Sequence, residues 1–274
     1  MKLPKWGVPG SAVLFCAACA VLQSPAENTR SLARHAGFTE LPLADSRLTA
    51  YLRRGDTSRP ESVTIYVESD GAPWRLPDEP PADPTPLKPF VMRMAIADSS
   101  TPTAYLSRPC QYLSQTARHD CDPRLWMQAR FSGEAVAATN QAVDQIKTST
   151  GARTVNLVGY SGGGAMAVLV AARRNDVNCL VTIAAPLDTN AWTDALGVSR
   201  LEMSLNPVDA AGELRGVRQT HFRGLRDKLV SPATVNRFIE RSKPATVVDK
   251  PDFDHQCCWS EEWRELSRSS CLAQ

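Results

Sequence analysis

The stretch "VNLVGYSGGGAMAVLVAARR", residues 155–174, changes character in its middle. Its first half is apolar and β-prone, which predicts a buried strand, and its second half consists of small apolar residues that predict a helix. Between the two halves, glycines surround a single serine, Ser161. A hydroxyl held in so tight a turn is typical of a nucleophile or of a phosphate cradle, and a plain bend is the third reading.

Strand and helix signals alternate along the chain from residue 62 onward. The proline-rich residues 72–89 predict a loop, because proline breaks helices and central strands. Residues 103–121 predict an irregular, cross-linked segment. The alternation predicts an α/β fold with a mostly parallel central sheet and helices on both faces, in one domain at 37–274. Strands are predicted at 48–54, 62–69, 90–97, 153–159, 179–186, 217–224 and 245–250, and helices at 132–151, 163–174, 232–242 and 259–270.

The first residues read as a secretory signal. Lys2 and Lys5 precede an apolar run at 12–22, which is too short to span a bilayer comfortably. The string "CAAC" resembles a lipoprotein cleavage site with Cys19 as the acylated residue, and a plain cut after Ala20 is the alternative. We therefore expect a signal peptide at 1–18, a polar tether at 19–36 and an exported, lipid-anchored protein of the bacterial cell envelope or periplasm.

Six cysteines follow Cys19, and export favours their oxidation to disulfides. Cys110 and Cys121 close a short loop and are the first expected pair. Cys258 and Cys271 form a second candidate pair that would clip the last helix. A metal site is disfavoured, because no Cys-x-x-Cys pair or His-x-x-x-His accompanies these cysteines.

The composition restricts the class of protein. Apolar residues make up 43% of the 274-residue chain, so a sizeable core is expected. The formal net charge is +2 and no basic block is present, so nucleic acid is not expected as a partner. Membrane anchorage is expected through the lipidated N-terminus. Neither a cofactor nor a metal is expected, and the sequence does not indicate an oligomeric state.

The turn around Ser161 matches the pattern G-x-S-x-G through Gly159 and Gly163. The glycines make room where the strained turn approaches its neighbouring strand and helix. Ser161 is therefore predicted to be a nucleophile, and the backbone N–H of Gly162 is aimed at an oxyanion. A phosphate loop is disfavoured because the Lys-Ser/Thr ending is missing.

A serine nucleophile needs a base and an orienting acid. His255 follows the last predicted strand and is the expected base, whereas the other three histidines lie in the tether, in the Cys110–Cys121 loop and within a strand. Asp227 follows the penultimate strand and is the expected acid. Asp188, which follows the strand after the elbow, is the alternative acid.

The order Ser161, Asp227, His255 resembles the chain order of the α/β-hydrolase fold. The chain also resembles a group of exported bacterial α/β-hydrolases through the strings "IYVESDG", "DPTP", "YLSRPCQY", "GYSGGGAMA", "SLNPVDA" and "HQCCW". The resemblance implies a serine hydrolase fold and an envelope location. It also implies a first oxyanion donor after the strand "TIYVES". Here Asp70 and Gly71 stand where a His-Gly pair is usual, and either backbone N–H is a candidate.

The residues together predict a serine hydrolase whose expected partner is a small-molecule acyl substrate. It would cleave a carboxylic ester or a thioester through an acyl-serine intermediate. A peptidase or acyltransferase on the same triad, and an envelope binding protein that has lost catalysis, remain alternatives. Trp74, Trp126 and Trp192 lie in predicted loops, where they would line a pocket or plug the core.

Overall fold

The computed structural model describes residues 24–72 and 81–273. The predicted signal peptide, the lipidation candidate Cys19 and Trp74 lie outside the described residues. Within the described ranges, no helix is both long and apolar enough to cross a membrane. The same ranges contain no group of three or more His, Cys, Asp or Glu side chains placed to hold a metal ion.

An eight-stranded sheet organises the protein, in the order β1-β2-β4-β3-β5-β6-β7-β8. The pairs from β4 to β8 are parallel, and β2 runs antiparallel to both of its neighbours. The mostly parallel sheet predicted from the alternating pattern is confirmed. The strands are β1 (Thr39–Leu41), β2 (Ala50–Arg53), β3 (Ser62–Val67), β4 (Thr103–Leu106), β5 (Thr154–Tyr160), β6 (Val177–Ile183), β7 (Arg218–Gly224) and β8 (Thr246–Lys250).

Helices cover both faces of the sheet, and each face has its own apolar core. One core joins alternate residues of β3, such as Ile65, to α4, α5 and α7. The other core joins the opposite β3 face, through Tyr66, to α1, α2 and α8. The helices are α1 (Pro25–His35), α2 (Phe90–Ala97), α3 (Gln115–His119), α4 (Gly133–Thr150), α5 (Gly162–Ala171), α6 (Thr189–Leu196), α7 (Asn236–Ser242) and α8 (Trp263–Leu266).

Two predictions of element type were wrong. Residues 90–97 form α2 rather than a strand, because a short apolar run fits either element and its methionines and alanines favour a helix. Residues 103–106, predicted to be irregular, form the central strand β4, whose four residues are all buried. The predicted closing helix at 259–270 is also shorter, with one turn at α8 followed by 3₁₀ turns.

The segment predicted as a polar tether contains helix α1. Ser24 caps its N-terminus by accepting a hydrogen bond from the Glu27 backbone N–H, and Pro25 occupies the first turn. Only Thr29 and Ala33 of this helix are buried, so its sequence has too few apolar residues on one face to indicate a packed helix. The tether prediction therefore does not hold for residues 25–35.

The disulfide pattern differs in part from the prediction. Cys110 pairs with Cys121. The pair Cys258–Cys271 was wrong, because Cys271 bonds Cys179 at the start of β6 and Cys258 bonds its neighbour Cys257. The backbone N–H of Cys271 also donates to the Thr220 hydroxyl in β7, so the C-terminal turn is held under the sheet at the amino ends of its strands.

His221 in β7 is a buried structural histidine. Its Nδ1 lies 2.8 Å from the hydroxyl of Thr182 in β6. Burial, followed by the nearby charge of Arg223, lowers the pKa of His221 to about 3. The folded protein therefore keeps this imidazole neutral at a pH where the unfolded chain protonates it.

We expect His221 to make the protein acid-sensitive. Because its folded pKa lies below the unfolded value, its contribution is complete above about pH 6.5 and is lost as the pH falls toward 3. Its share amounts to about 2 kcal/mol between pH 7 and pH 5. Urea unfolding at both pH values should show that His221→Gln reduces this difference. His119→Gln, on an 89% exposed side chain, should leave it unchanged. Equal pH dependence in wild type and His221→Gln would refute the assignment.

Candidate active site

Ser161 is the single residue between strand β5 and helix α5. It follows β5 at Tyr160 and precedes α5 at Gly162, with φ 53° and ψ −127°. A positive φ is costly for a residue with a side chain, and such strain is characteristic of a serine held on a sharp strand-to-helix turn. The Ser161 backbone N–H donates to the Ile183 carbonyl of β6, which fixes the turn against the neighbouring strand.

The flanking glycines are required by close backbone approaches. A Cβ on Gly163 would lie 2.2 Å from the carbonyl oxygen of Val67 at the end of β3. A Cβ on Gly159 would lie 2.2 Å from the carbonyl oxygen of Gly163. The steric role predicted for both glycines is therefore visible in the contacts of the turn.

We expect Gly163→Ala to damage the turn. The added methyl would collide with backbone oxygens, which cannot rotate away, so a loss of about 3 kcal/mol in the free energy of unfolding is expected. Gly133→Ala is the matched control, because nothing lies within 4 Å of its added Cβ at the start of α4. Chemical denaturation of both variants measures the difference. An unchanged midpoint for Gly163→Ala would contradict the steric argument.

Three predicted side chains meet at the carboxyl edge of the sheet. His255 Nε2 lies 3.1 Å from Ser161 Oγ, and His255 Nδ1 lies 2.8 Å from Asp227 Oδ2. The Asp227 side chain is 1% exposed and that of His255 is 15% exposed. The three groups form one hydrogen-bonded chain, with its buried acid at one end and a reachable hydroxyl at the other.

The loops that carry the acid and the base are fixed by their own hydrogen bonds. Asp227 Oδ1 accepts from the backbone N–H groups of Leu229 and Val230, both at 2.8 Å, which leaves Oδ2 for the imidazole. The Tyr160 hydroxyl donates to the His255 carbonyl at 2.6 Å. His255 is therefore held through its ring by Asp227 and through its backbone carbonyl by Tyr160, the residue before Ser161.

Asp188, the alternative acid, and Asp254, which is close to His255 in sequence, both have other partners. Asp188 caps α6 and accepts from the Asn206 side chain, so it does not orient His255. Asp254 accepts from the Gln256 and Cys257 backbone N–H groups and shapes the histidine loop.

The two candidate donors after β3 lie beside the elbow. A Cβ on Gly162 would lie 2.0 Å from Asp70 Oδ1, so Asp70 packs against the start of α5. Gly71 has φ +94°, and an added Cβ would lie 1.7 Å from the Pro84 carbonyl oxygen. The backbone N–H groups of Asp70, Gly71 and Gly162 donate to no group among the residues that the structure describes.

Two arginines that the sequence analysis did not single out enclose the Asp70 carboxylate. Arg108 Nη1 donates to Oδ1 at 3.0 Å, and Arg130 Nη1 donates to Oδ2 at 3.1 Å. The Arg108 side chain is 4% exposed and stacks over Phe131. Arg108 lies just past β4, and a correct strand assignment there would have placed it at the carboxyl edge. We call Asp70, Arg108 and Arg130 the Asp70 clamp.

Glu68 anchors the same loop from inside the protein. One carboxylate oxygen accepts from the backbone N–H and hydroxyl of Ser69, and the other accepts from the hydroxyls of Tyr105 and Tyr112. Burial raises the pKa of Glu68, and these hydrogen bonds oppose that shift. The loop that carries Asp70 and Gly71 is thus tied to β4 and to the residues that follow it.

Trp126 and Trp192, two of the tryptophans predicted to lie in loops, both donate hydrogen bonds to backbone carbonyls. The Trp126 indole N–H donates to the Pro81 carbonyl, and its side chain is buried. The Trp192 indole N–H donates to the Leu229 carbonyl at 2.8 Å, which ties α6 to the Asp227 loop.

Comparisons with known proteins agree on the fold. A family profile described as alpha/beta hydrolase fold matches residues 97–223. No curated protein matches the sequence.

Solved structures give the same result over most of the chain. Est1E from Butyrivibrio proteoclasticus, with ferulic acid bound, is 13% identical with a TM-score of 0.62, covering 86% of this chain and 100% of its own. An esterase domain from Rhodothermus marinus is 16% identical with a TM-score of 0.55, covering 85% and 99%. A Pyrococcus horikoshii acylaminoacyl peptidase is 11% identical with a TM-score of 0.60, covering 89% and 42%.

Proposed function

We propose that this chain, which has the α/β-hydrolase fold, is a serine hydrolase that cleaves a carboxylic ester or thioester through an acyl-serine intermediate. The observation that carries the proposal is the hydrogen-bonded chain from Asp227 through His255 to Ser161. The fold shared with an esterase domain supports an ester-type substrate.

The proposed reaction begins with attack by Ser161 on the acyl carbonyl. His255 Nε2 takes the hydroxyl proton as the Oγ–carbon bond forms, and Asp227 stabilises the imidazolium through Nδ1. Collapse of the tetrahedral intermediate breaks the bond to the leaving group, which receives the proton from His255. Water then attacks the acyl-serine with the same assistance, which releases the acid and restores the Ser161 hydroxyl.

The oxyanion would be bound by backbone donors. Gly162 N–H stands at the start of α5, where the helix dipole favours negative charge. Asp70 or Gly71 would supply the second N–H, because neither donates to another described group. A carboxylate beside a developing oxyanion is unfavourable, and the arginines of the Asp70 clamp offset it.

We therefore expect the Asp70 clamp to affect catalysis through charge. Arg130→Ala should lower kcat/KM about tenfold, since the Asp70 carboxylate would then keep only one of its two counterions near the oxyanion. Arg130→Ala combined with Asp70→Asn should recover most of this loss. Arg124→Ala, on an exposed arginine in the same segment, is the control. Steady-state kinetics with an aryl ester measure all variants, and a double variant no faster than Arg130→Ala would contradict a charge effect.

Covalent labelling tests the proposed function directly. A fluorophosphonate probe should label the wild-type protein and should not label Ser161→Ala. Ser231→Ala, in the Asp227 loop, should label like wild type. Failure of the wild type to label beside a reactive esterase would disprove the hydrolase proposal, and labelling of Ser161→Ala would disprove the nucleophile.

The same experiment separates the alternatives. A protein that kept the fold and lost catalysis would not label. A peptidase or an acyltransferase would label, and the likeness to an acylaminoacyl peptidase gives the peptidase reading a specific basis. Turnover of matched aryl esters, thioesters and acyl-peptides, with and without an added alcohol acceptor, distinguishes these reactions.

Export and lipid anchorage form part of the proposal. The three disulfides in the described residues are compatible with an oxidising compartment. Mass spectrometry of the membrane fraction should find an acylated N-terminal Cys19 in wild type and a non-acylated product for Cys19→Ala.

A further inference from the structure

Large apolar side chains are exposed at one edge of the sheet. Seven such residues are between 36% and 64% exposed among those that the structure describes. All of them lie in segments that leave the carboxyl end of β3, β6 or β7, which is the edge that carries Ser161. We call this set the apolar rim: Leu87, Leu196, Val198, Met203, Leu205, Leu225 and Leu229.

The apolar rim reaches both sides of the nucleophile. Leu225 and Leu229 flank Asp227 by two residues each. On the other side, the Leu205 backbone N–H donates to the Phe131 carbonyl, and Phe131 stacks under Arg108 of the Asp70 clamp. Scattered exposed leucines are ordinary, but their confinement to one edge marks an interaction surface.

The N-terminal helix begins at this same edge. Thr29, the fifth of the eleven residues of α1, lies next to the hydroxyl of Tyr112, which donates to Glu68 beyond β3. The far end of α1 leads to Phe38, which packs under Arg53 opposite the start of β4. Helix α1 therefore runs away from the active-site edge. Five residues lie between Cys19 and Pro25, so the six steps of chain that join them span at most about 20 Å.

The charges next to the apolar rim favour an anionic partner. Lys88 follows Leu87 and Lys228 precedes Leu229. Arg226 follows Leu225, and its charge is balanced by an ion pair with Asp252. Glu202, beside Met203, is the single acid adjacent to a rim residue in sequence. Cations interleaved with leucines suit a surface of anionic lipid headgroups above acyl chains.

We propose that the apolar rim docks on an anionic lipid bilayer, so that Ser161 faces the membrane and receives an ester carried by a lipid. The substrate class rests on the proposed function, whereas docking does not. The position of α1 fits this orientation, because an anchor at Cys19 would hold the same edge toward the membrane.

Vesicle binding tests the docking without turnover. The full chain is expressed with its own leader and carries Cys19→Ser, to remove the anchor, and Ser161→Ala, to stop catalysis. Co-sedimentation with phosphatidylcholine vesicles containing phosphatidylglycerol should show binding that weakens without the anionic lipid. Adding Met203→Ser and Leu225→Ser, which remove two half-exposed residues from opposite sides, should lower the partition coefficient at least tenfold.

The vesicle-binding experiment has a matched control variant and defined results that would contradict docking. Glu61→Ser with Arg153→Ser removes an exposed ion pair at the opposite edge, leaves the net charge unchanged and should not alter binding. Absence of vesicle binding, or equal binding by the rim variant, would overturn the proposal. A concentration-dependent dimer that the rim variant abolishes, without vesicle binding, would assign the surface to a second copy instead. Fluorophosphonate labelling of the Ser161-containing rim variant tests the hydrolase function separately and should match wild type.

Discussion

Alanine at Ser161 is expected to lower kcat for an aryl ester by about 10⁴- to 10⁶-fold. The reason is that, in the proposed mechanism, this hydroxyl forms the covalent intermediate, and no other described nucleophile is hydrogen-bonded to His255. The residual rate would come from oxyanion donors and substrate binding alone. Because those groups do not depend on Oγ, KM should change far less than kcat.

The effects of substituting Ser161 and His255 should be strongly non-additive. His255→Ala should cost about as much as Ser161→Ala, since a serine without its base is a poor nucleophile. The double variant should be no slower than either single variant. His119→Ala, on an exposed side chain, serves as the matched histidine control. If the loss of kcat in the double variant equalled the product of the two single losses, the two residues would not act as one unit.

Asparagine at Asp227 should lower kcat by about 10⁴-fold. The substitution is nearly isosteric, and the amide oxygen can still accept from Leu229 and Val230, so the loop should keep its shape. The amide nitrogen would then face His255 Nδ1 and donate to it. That arrangement places the imidazole proton on Nε2, where the ring can no longer accept the proton of Ser161.

Asp188→Asn is the matched control for Asp227→Asn. Asp188 is as buried as Asp227 but caps α6, and asparagine caps a helix about as well as aspartate, so Asp188→Asn should leave kcat within about threefold of wild type. Pre-steady-state measurement of the acylation burst with an aryl ester separates the two variants. A normal burst in Asp227→Asn would remove Asp227 from the proposed triad.

The sequence predicted those features of the fold and of the candidate site that depend on short stretches of chain. The elbow could be predicted because Ser161 needs glycine neighbours in sequence. Asp227 and His255 could be predicted because each lies in the loop that follows a strand. The fold class followed from the alternation of strand and helix signals. These features depend on short-range patterns that a single chain displays.

What was missed depends on contacts between distant segments. The Asp70 clamp joins three loops, and nothing in the letters around Arg108 or Arg130 indicates that both reach one carboxylate. The pairing of Cys179 with Cys271 required knowing that the C-terminal turn lies under β6. Helix α2 was taken for a strand because eight mostly apolar residues carry no decisive period.

The Cys179–Cys271 bond also links the part of the chain that carries the proposed acid and base to the part that carries Ser161. The bond spans 92 residues, and the span contains Asp227 and His255 but not Ser161. By loop-closure entropy, such a cross-link stabilises the fold by about 4 to 5 kcal/mol. A single proteolytic cut anywhere inside the span leaves both fragments joined, so the acid and the base stay attached to β6 and to the serine before it. The protein is therefore expected to tolerate a single cut in the third of the chain that carries the proposed acid and base.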